Sequence, residues 1–286
     1  MLDQAAELRK KVAETKKQSK SNLITITSGK GGVGKSNFVV NLAIILSQKG
    51  YKVLIFDADI GMGNDDVLMG LYPRHSVIDL VRNNLSIEDV IIKGPEGVSL
   101  LPGGSGMNYI EDFTEEERNL FLSKINELDG YDYILIDTGA GISRNILAFI
   151  SASQRLVLTT TPEPTSITDG YSLLKAVDHF KLKEEVYIVV NKVCDFEEGN
   201  TAYIKYTNTI SKFLKLKPRY FGCILDDRKL VASVKAQKPV VLNYPNSDAA
   251  KCINRIADRI INDSEIYENR QEGASGFFKK LFDIFS

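Results

Sequence analysis

The sequence predicts an α/β fold, a mostly parallel central sheet with helices on both faces. Two observations carry this expectation. Short apolar runs alternate with helix-like stretches along most of the 286 residues, the pattern of a sheet buried on both sides. The first such run, Leu23 to Thr27, leads into Gly29-Lys30-Gly31-Gly32-Val33-Gly34-Lys35-Ser36, and Asn37–Gln48 then reads as a helix. A strand, a glycine loop and a helix in that order place a ligand at the carboxyl ends of the strands.

The loop fits G-x-x-x-x-G-K-[ST], so the expected architecture is that of a P-loop NTPase. Gly29, Gly31, Gly32, Val33 and Gly34 turn backbone N–H groups toward a polyphosphate. The helix N-terminus at Lys35, Ser36 and Asn37 adds positive potential. Lys35 is expected to neutralise the β- and γ-phosphates, and the Ser36 hydroxyl to ligate Mg²⁺, a cation that demands oxygen ligands. The same string satisfies G-x-G-x-x-G through Gly29, Gly31 and Gly34, with Asp57 where a dinucleotide site wants an acid. Lys35-Ser36, a second acid at Asp59 and a third at Asp137 decide against that reading. Mg²⁺-nucleotide chemistry uses such carboxylates and hydride transfer does not. Lys30 is surplus to the loop's own needs, and is either a solvated lysine or one that completes another subunit's site.

The remaining elements follow in order. Further strands are expected at Val53–Asp57, Val98–Pro102, Tyr133–Asp137, Leu156–Thr160, Val186–Val190 and Arg219–Leu225. Helices are expected at Glu115–Leu128, Ser166–His179, Ala202–Leu214, Arg228–Gln237 and Asp248–Ile261. Residues 1–21 are polar and lysine-rich, with a narrow apolar stripe at Leu2, Ala5, Ala6, Leu8 and Val12, and read as an N-terminal segment and linker. Residues 22–263 form the ATPase domain, 264–276 a polar linker, and 277–286 an amphipathic helix. In that last stretch Phe277, Phe278, Leu281, Phe282, Ile284 and Phe285 share one helical arc, with Lys279, Lys280 and Asp283 opposite. It reads either as a helix docked on the core or as an in-plane helix for an anionic membrane surface.

Bulk properties narrow the classes. A net charge of −1 shows no basic footprint for nucleic acid. Cys194, Cys223 and Cys252 are scattered without a C-x-x-C pair and read as reduced core cysteines. His75 and His179 lack ligand spacing and receive no chemistry. No run reaches transmembrane length.

Three aspartates end strands beside the loop. Asp57-Ala58-Asp59-Ile60-Gly61-Met62-Gly63-Asn64 offers one carboxylate for the Mg²⁺ shell and one to orient water. Asp137 is placed like a Walker B acid that holds Mg²⁺ directly or through water. Each alone could be a turn or cap residue; three together beside a phosphate loop are poorly explained that way.

From about Leu23 to Ile261 the sequence resembles the MinD/ParA family. Lys-Gly-Gly-Val-Gly-Lys-Ser is similar to its deviant Walker A motif, in which the first lysine, here Lys30, reaches across a dimer. Asp-x-Asp-x-Gly-x-x-Asn resembles switch I, which implies that Asp59 positions the attacking water. Asp137-Thr138-Gly139-Ala140-Gly141-Ile142-Ser143 and Thr161-Pro162-Glu163-Pro164-Thr165 resemble the flagellar branch, FlhG (FleN/YlxH); MinD itself usually has proline where Gly139 stands. By resemblance Glu163 lies near the dimer-facing nucleotide surface, Asn191 meets adenine and Asp226 lies near the base. Asp3-Gln4-Ala5-Ala6-Glu7-Leu8-Arg9 resembles the branch's activator element for FlhF, a GTPase of the signal-recognition-particle type.

The resemblance implies a slow ATPase switch with ATP and Mg²⁺ as cofactors. It implies an ATP-dependent homodimer, contact with FlhF through residues 1–12, membrane binding through 277–286, and flagellar C-ring proteins as further partners. The location implied is cytoplasmic, peripheral on the inner face of the cell membrane when ATP is bound. A DNA-partitioning ATPase would need a basic face, a metal-cluster carrier would need paired cysteines, and a non-hydrolysing scaffold would not need Asp59 and Asp137.

Overall fold

The computed structural model describes residues 21–59, 63–104, 113–125, 128, 130–267 and 273–285. The segment expected to contact FlhF, all but the last residue of the 1–21 region, residues 268–272 of the expected linker and Ser286 lie outside the described residues.

The eight strands are β1 (Asn22–Ser28), β2 (Val53–Ala58), β3 (Ile92–Lys93), β4 (Ser99–Pro102), β5 (Tyr133–Ala140), β6 (Arg155–Thr160), β7 (Glu185–Val193) and β8 (Lys217–Leu225). They form one sheet in the order β3-β4-β2-β5-β1-β6-β7-β8, parallel throughout except for β3 against β4. All seven expected strands are present. The added edge strand β3 is two residues long, too short for any periodicity to announce it.

The main helices are α1 (Lys35–Gln48), α2 (Asp65–Met69), α3 (Asp79–Arg82), α4 (Ile87–Val90), α5 (Glu115–Ile125), α6 (Arg144–Ala152), α7 (Pro164–His179), α8 (Phe196–Phe213), α9 (Arg228–Lys235), α10 (Val240–Asn243), α11 (Asp248–Tyr267) and α12 (Ala274–Phe285). Successive strand residues face opposite sides. Ile24, Ile26, Val53 and Ile55 pack against α1 and α11, while Leu23, Leu54 and Phe56 pack on the other face with α5, α6 and α12. A third cluster joins α6, α7 and α8 to β6 and β7. Because α1 packs on the sheet with α2, α10 and α11 beside it, it is buried from Phe38 to Leu46 on nearly every side, as its almost uninterrupted apolar sequence requires.

Helix α6 has no counterpart among the expected elements. Its signal is local: the Ser143 hydroxyl accepts the Ile146 N–H as an N-cap, and Ile146, Phe149 and Ile150 then recur at helical spacing. Helix α8 starts six residues before the expected Ala202, where Asp195 accepts the Glu198 N–H.

Helix α12 begins at Ala274 and lies on the protein's own surface. Ala274, Phe277, Phe278, Leu281 and Phe282 are buried. Phe278 meets Phe56 and Phe121 edge-on, with ring centroids 5.4 and 5.1 Å away. Phe282 packs 5.5 Å from Phe121, and the Arg118 guanidinium lies over its ring. Arg144 donates to the Ile284 carbonyl at 3.1 Å. Lys279, Lys280 and Asp283 face solvent, and so does Ile284, which leaves the apolar arc expected for it. Of the two readings open for this stretch, the docked helix is the one observed. Among the described residues no helix is long and apolar enough to cross a membrane.

Candidate functional site

The glycine loop joins β1 to α1. Gly32 and Gly34 have φ of 76° and 90°, and Gly34 is the N-cap of α1, conformations that a Cβ makes costly. Gly29 is needed for a different reason: a Cβ there would collide with the backbone of Asp169 and Gly170 in α7. The loop lines a cleft of about 730 Å³, a size that suits a nucleotide. Gly31, Gly32, Val33, Gly34, Lys35, Ser36 and Asn37 border it, together with Asp59, Gly139, Asn191 and Asp226.

Strand register assembles the acids. Asp57 of β2 stands opposite Asp137 of β5, so residues eighty apart meet beneath the loop. Lys35 donates to Asp137 at 2.5 Å, and both are buried. Burial alone would lower the Lys35 ammonium, but the Asp137 charge reverses this and holds it above its usual range. Burial and then the Asp137 charge push Asp57 up to about 7. Asp59 is also raised, first by burial. Its backbone N–H donates to Asp57 Oδ1 at 3.2 Å, and its own Oδ1 would stand 3.1 Å from a Cβ at Gly139. A larger residue at Gly139 would therefore crowd the acid expected to orient water.

The flanks differ from the loop. Lys30 points out of the cleft, donating to Glu163 at 3.2 Å and to Thr165 at 2.9 Å. Asn191 is pressed on the loop: its Nδ2 donates to the Val33 carbonyl at 2.7 Å, and its Oδ1 accepts the Lys192 N–H. Lys192, at φ 57°, donates to the Gly32 carbonyl at 2.8 Å. The pair braces the outside of the phosphate loop. Asp226 lines the cleft beside Leu230, Val231 and Val234, an apolar wall of suitable character for a base. Its neighbour Asp227 also borders the cleft and caps α9, accepting the Lys229 N–H.

Some functional positions carried little sequence signal. Thr165 and Lys192 act only through contacts between distant segments. Phe149 lines the cleft from α6 and stacks 6.2 Å from Phe277 of α12, so one side chain touches both the nucleotide cleft and the docked helix. Asp65 is fully buried beneath the acids, where burial, Asp137 and Asp57 hold its carboxyl well above the usual range.

The residues fit Mg²⁺ bound with a nucleotide. Among the described residues no three acidic, histidine or cysteine side chains could hold a metal ion by themselves. A divalent cation here would draw its inner ligands from phosphate, the Ser36 hydroxyl and water, with Asp57, Asp59 and Asp137 acting around them. Asp65 lies buried beneath these acids, with its carboxyl in a side-chain hydrogen bond with Asp137.

Comparison with known proteins agrees with this geometry. The family described as an AAA domain matches residues 21–190. The chain is 35% identical over 265 residues to the flagellum site-determining protein YlxH of Helicobacter pylori, covering 91% of this chain and 90% of that one. It is 32% identical over 239 residues to the antiactivator FleN of Pseudomonas aeruginosa, covering 83% and 85%. The structure of the MinC:MinD cell division complex of Aquifex aeolicus matches with a TM-score of 0.67 and 28% identity, over 85% of this chain and 96% of that one. The chain belongs to the MinD/ParA-type P-loop ATPases, in their flagellar branch FlhG/FleN/YlxH.

Proposed function

We propose that this protein is an ATP-driven switch that regulates the number and placement of flagella through reversible dimerisation and membrane binding. The observation that carries the reading is Phe149, which borders the nucleotide cleft and stacks on Phe277 of the docked helix. A change at residues 137–143 or in α6 on nucleotide binding thereby reaches the tail by direct packing. The relatives named for flagellum site determination and antiactivation support the flagellar role.

The chain's own residues do the following in this reading. The loop amides and Lys35 hold the phosphates, and Lys35 exchanges Asp137 for them. Ser36 and the strand-end acids receive Mg²⁺, which supplies electrostatic stabilisation of the phosphoryl group when bound. Asp59, beside Gly139, orients water. Lys30 leaves Glu163 and Thr165 to complete the cleft of a second subunit. Asn191 and Asp226 lie on the base side. Hydrolysis is slow, as a timing switch requires, with Lys30 from the second subunit supplying the electrostatic part. Release of α12 exposes Phe277, Phe278, Leu281 and Phe282 to anionic membrane, and two tails in one dimer bind far better than one. Residues 1–12 stimulate an FlhF-type GTPase, and C-ring proteins are further partners.

The test is co-sedimentation with anionic vesicles. Wild type is expected in the pellet with ATP and in the supernatant with ADP. Asp59→Ala is expected to bind ATP, stop phosphate release and remain on the vesicles. Equal sedimentation with both nucleotides overturns the switch, and undiminished turnover removes Asp59 from the mechanism. A peptide of residues 1–12 that leaves FlhF GTPase activity unchanged removes that partner.

A further inference from the structure

Helices α8 and α11 lie on opposite faces of the sheet, and both pack on β8, its edge strand. Along that edge two arginines of α11 lie over aromatic rings. The Arg255 guanidinium is 5.1 Å from the Phe196 ring of α8, and the Arg259 guanidinium is 5.9 Å from the Tyr220 ring of β8. Tyr203 of α8 stacks on Tyr220 at 4.5 Å, and its hydroxyl donates to the Pro218 carbonyl at 3.3 Å. A cavity of about 560 Å³ opens between Tyr203, Pro218, Tyr220, Arg259 and Asn262. Gly222, at φ 140°, keeps Arg259 in place there, because a Cβ would stand 3.4 Å from its Nη1.

Lys251, Arg255 and Arg259 recur every fourth residue on α11, and all are exposed. Among the described residues none of the three has a carboxylate partner. The acids nearby are engaged: Asp258 with Lys49, Asp263 with Arg155 and the Tyr187 hydroxyl, and Glu185 with Arg219. Packing of α11 on the rings would need only the arginine stems. The rings instead hold two planar guanidiniums in fixed positions with N–H groups left for an anion, so little side-chain freedom is lost when one binds. Arg259 gives one N–H to the Phe221 carbonyl at 2.8 Å and keeps the others.

Four residues of helix rise about 6 Å. Two residues of extended chain advance about 6.6 Å and return to the same face. An extended segment with acids at alternate positions therefore matches the pitch of Arg255 and Arg259, and a third acid reaches Lys251. We propose that this edge is a docking surface for an extended acidic peptide of a partner protein. Its pattern is acid-x-acid-x-acid, with an aromatic or apolar side chain beyond the acids entering the cavity at Tyr203 and Tyr220. The cationic stripe is one residue wide and has Asp258, Asp263 and Glu185 beside it. It suits a single strand and not the broad charge of a nucleic acid or a membrane surface. The chain's own N-terminal segment has the wrong sign, since Arg9, Lys10, Lys11, Lys16, Lys17 and Lys20 outnumber Asp3, Glu7 and Glu14.

The test uses the full chain and a fluorescein-labelled peptide in which glutamates alternate with serines and a tyrosine follows, read by fluorescence anisotropy. The same peptide with glutamine for glutamate is the control. The glutamate peptide is expected to bind about 10-fold or more tighter than the control, with an affinity that falls as salt is added. Lys251→Glu with Arg255→Glu is expected to remove that difference, Arg255→Gln to reduce it, and Tyr203→Ala to weaken both peptides. Melting temperature and fluorescent-nucleotide affinity of the charge variants should match wild type, since Lys251 and Arg255 are exposed and do not line the nucleotide cleft. No binding of the glutamate peptide, equal binding of the two peptides, or a folded charge-reversed variant that binds as wild type does overturns the proposal. Retention on single-stranded DNA or anionic vesicles that the charge reversal abolishes, without peptide binding, overturns it in favour of those ligands.

Discussion

Helix α6 separates two regions built on opposite principles. On its cleft side lie buried charges and left-handed glycines: Lys35, Asp57, Asp65 and Asp137 are all under a tenth exposed, and the acids crowd one another around Lys35. On its other side lies the groove that holds α12, made almost wholly of phenylalanine rings in edge-on and stacked contact. The cleft is rigidly placed yet electrostatically incomplete, so it gains from a polyanion with a cation. The groove is complete, so it acts only when broken. The difference teaches that binding energy made on one side of α6 can be spent on the other, with Phe149 as the shared part.

Lys35→Ala should have the largest effect. It leaves Asp137 buried beside Asp57 and Asp65 without its cation, a loss of about 3–5 kcal/mol when one partner of a buried pair is removed. Nucleotide affinity should fall by about 100-fold or more, since a charged, buried partner of phosphate is worth about 3 kcal/mol or more. Denaturant midpoints and fluorescent-nucleotide titration read the two losses separately. A variant with wild-type stability would show that the cleft is not held together by this pair.

Next comes the groove. Phe121→Ala removes a ring that touches both Phe278 and Phe282, at a cost of about 3–4 kcal/mol. The docked helix should then open without nucleotide, giving binding to anionic vesicles in ADP as well as ATP. Phe282→Asp should abolish vesicle binding in both states while leaving nucleotide affinity unchanged. If Phe121→Ala stays as nucleotide-dependent as wild type, the groove does not restrain the tail.

A pH titration sharpens the contrast, because among the described residues the groove has no buried acids and the cleft has several. The folded-state value of Asp57 is about 7, raised from 3.8 by burial and Asp137. A carboxyl raised in the folded state contributes its stability below its unfolded value and loses it as pH rises through the folded value. Asp59 and Asp65 shift the same way. Melting temperature in EDTA should therefore fall between about pH 4 and 7 and level off above. Saturating Mg²⁺ and ADP should flatten the slope, while Phe121→Ala should lower the whole curve without changing its shape.

The smallest change in stability belongs to Lys30→Ala. Lys30 and Glu163 are 41% and 62% exposed, and such a pair is worth about 0–1 kcal/mol. Monomer melting temperature and nucleotide affinity should stay close to wild type. Light scattering with ATP should nevertheless show no dimer, and a variant that dimerises normally would return Lys30 to a solvated loop residue.

What the sequence determined by itself was local chemistry. The order strand, loop, helix, the glycines at positive φ and the phosphate-loop lysine are dictated by backbone sterics and short-range spacing, which a linear reading can see. The same holds for the seven longer strands, whose apolar runs need a two-sided sheet. Other features depend on which distant segments meet. Register in β2 and β5 sets Asp57 opposite Asp137. The loop is braced by Asn191 and Lys192 from β7. Whether the phenylalanines of α12 face lipid or protein was open in the sequence, because an amphipathic helix has the same pattern for either apolar partner. Only the tertiary structure decided it, by supplying Phe56, Phe113 with Phe121, and Phe149 from three separate stretches of chain as a surface that buries them.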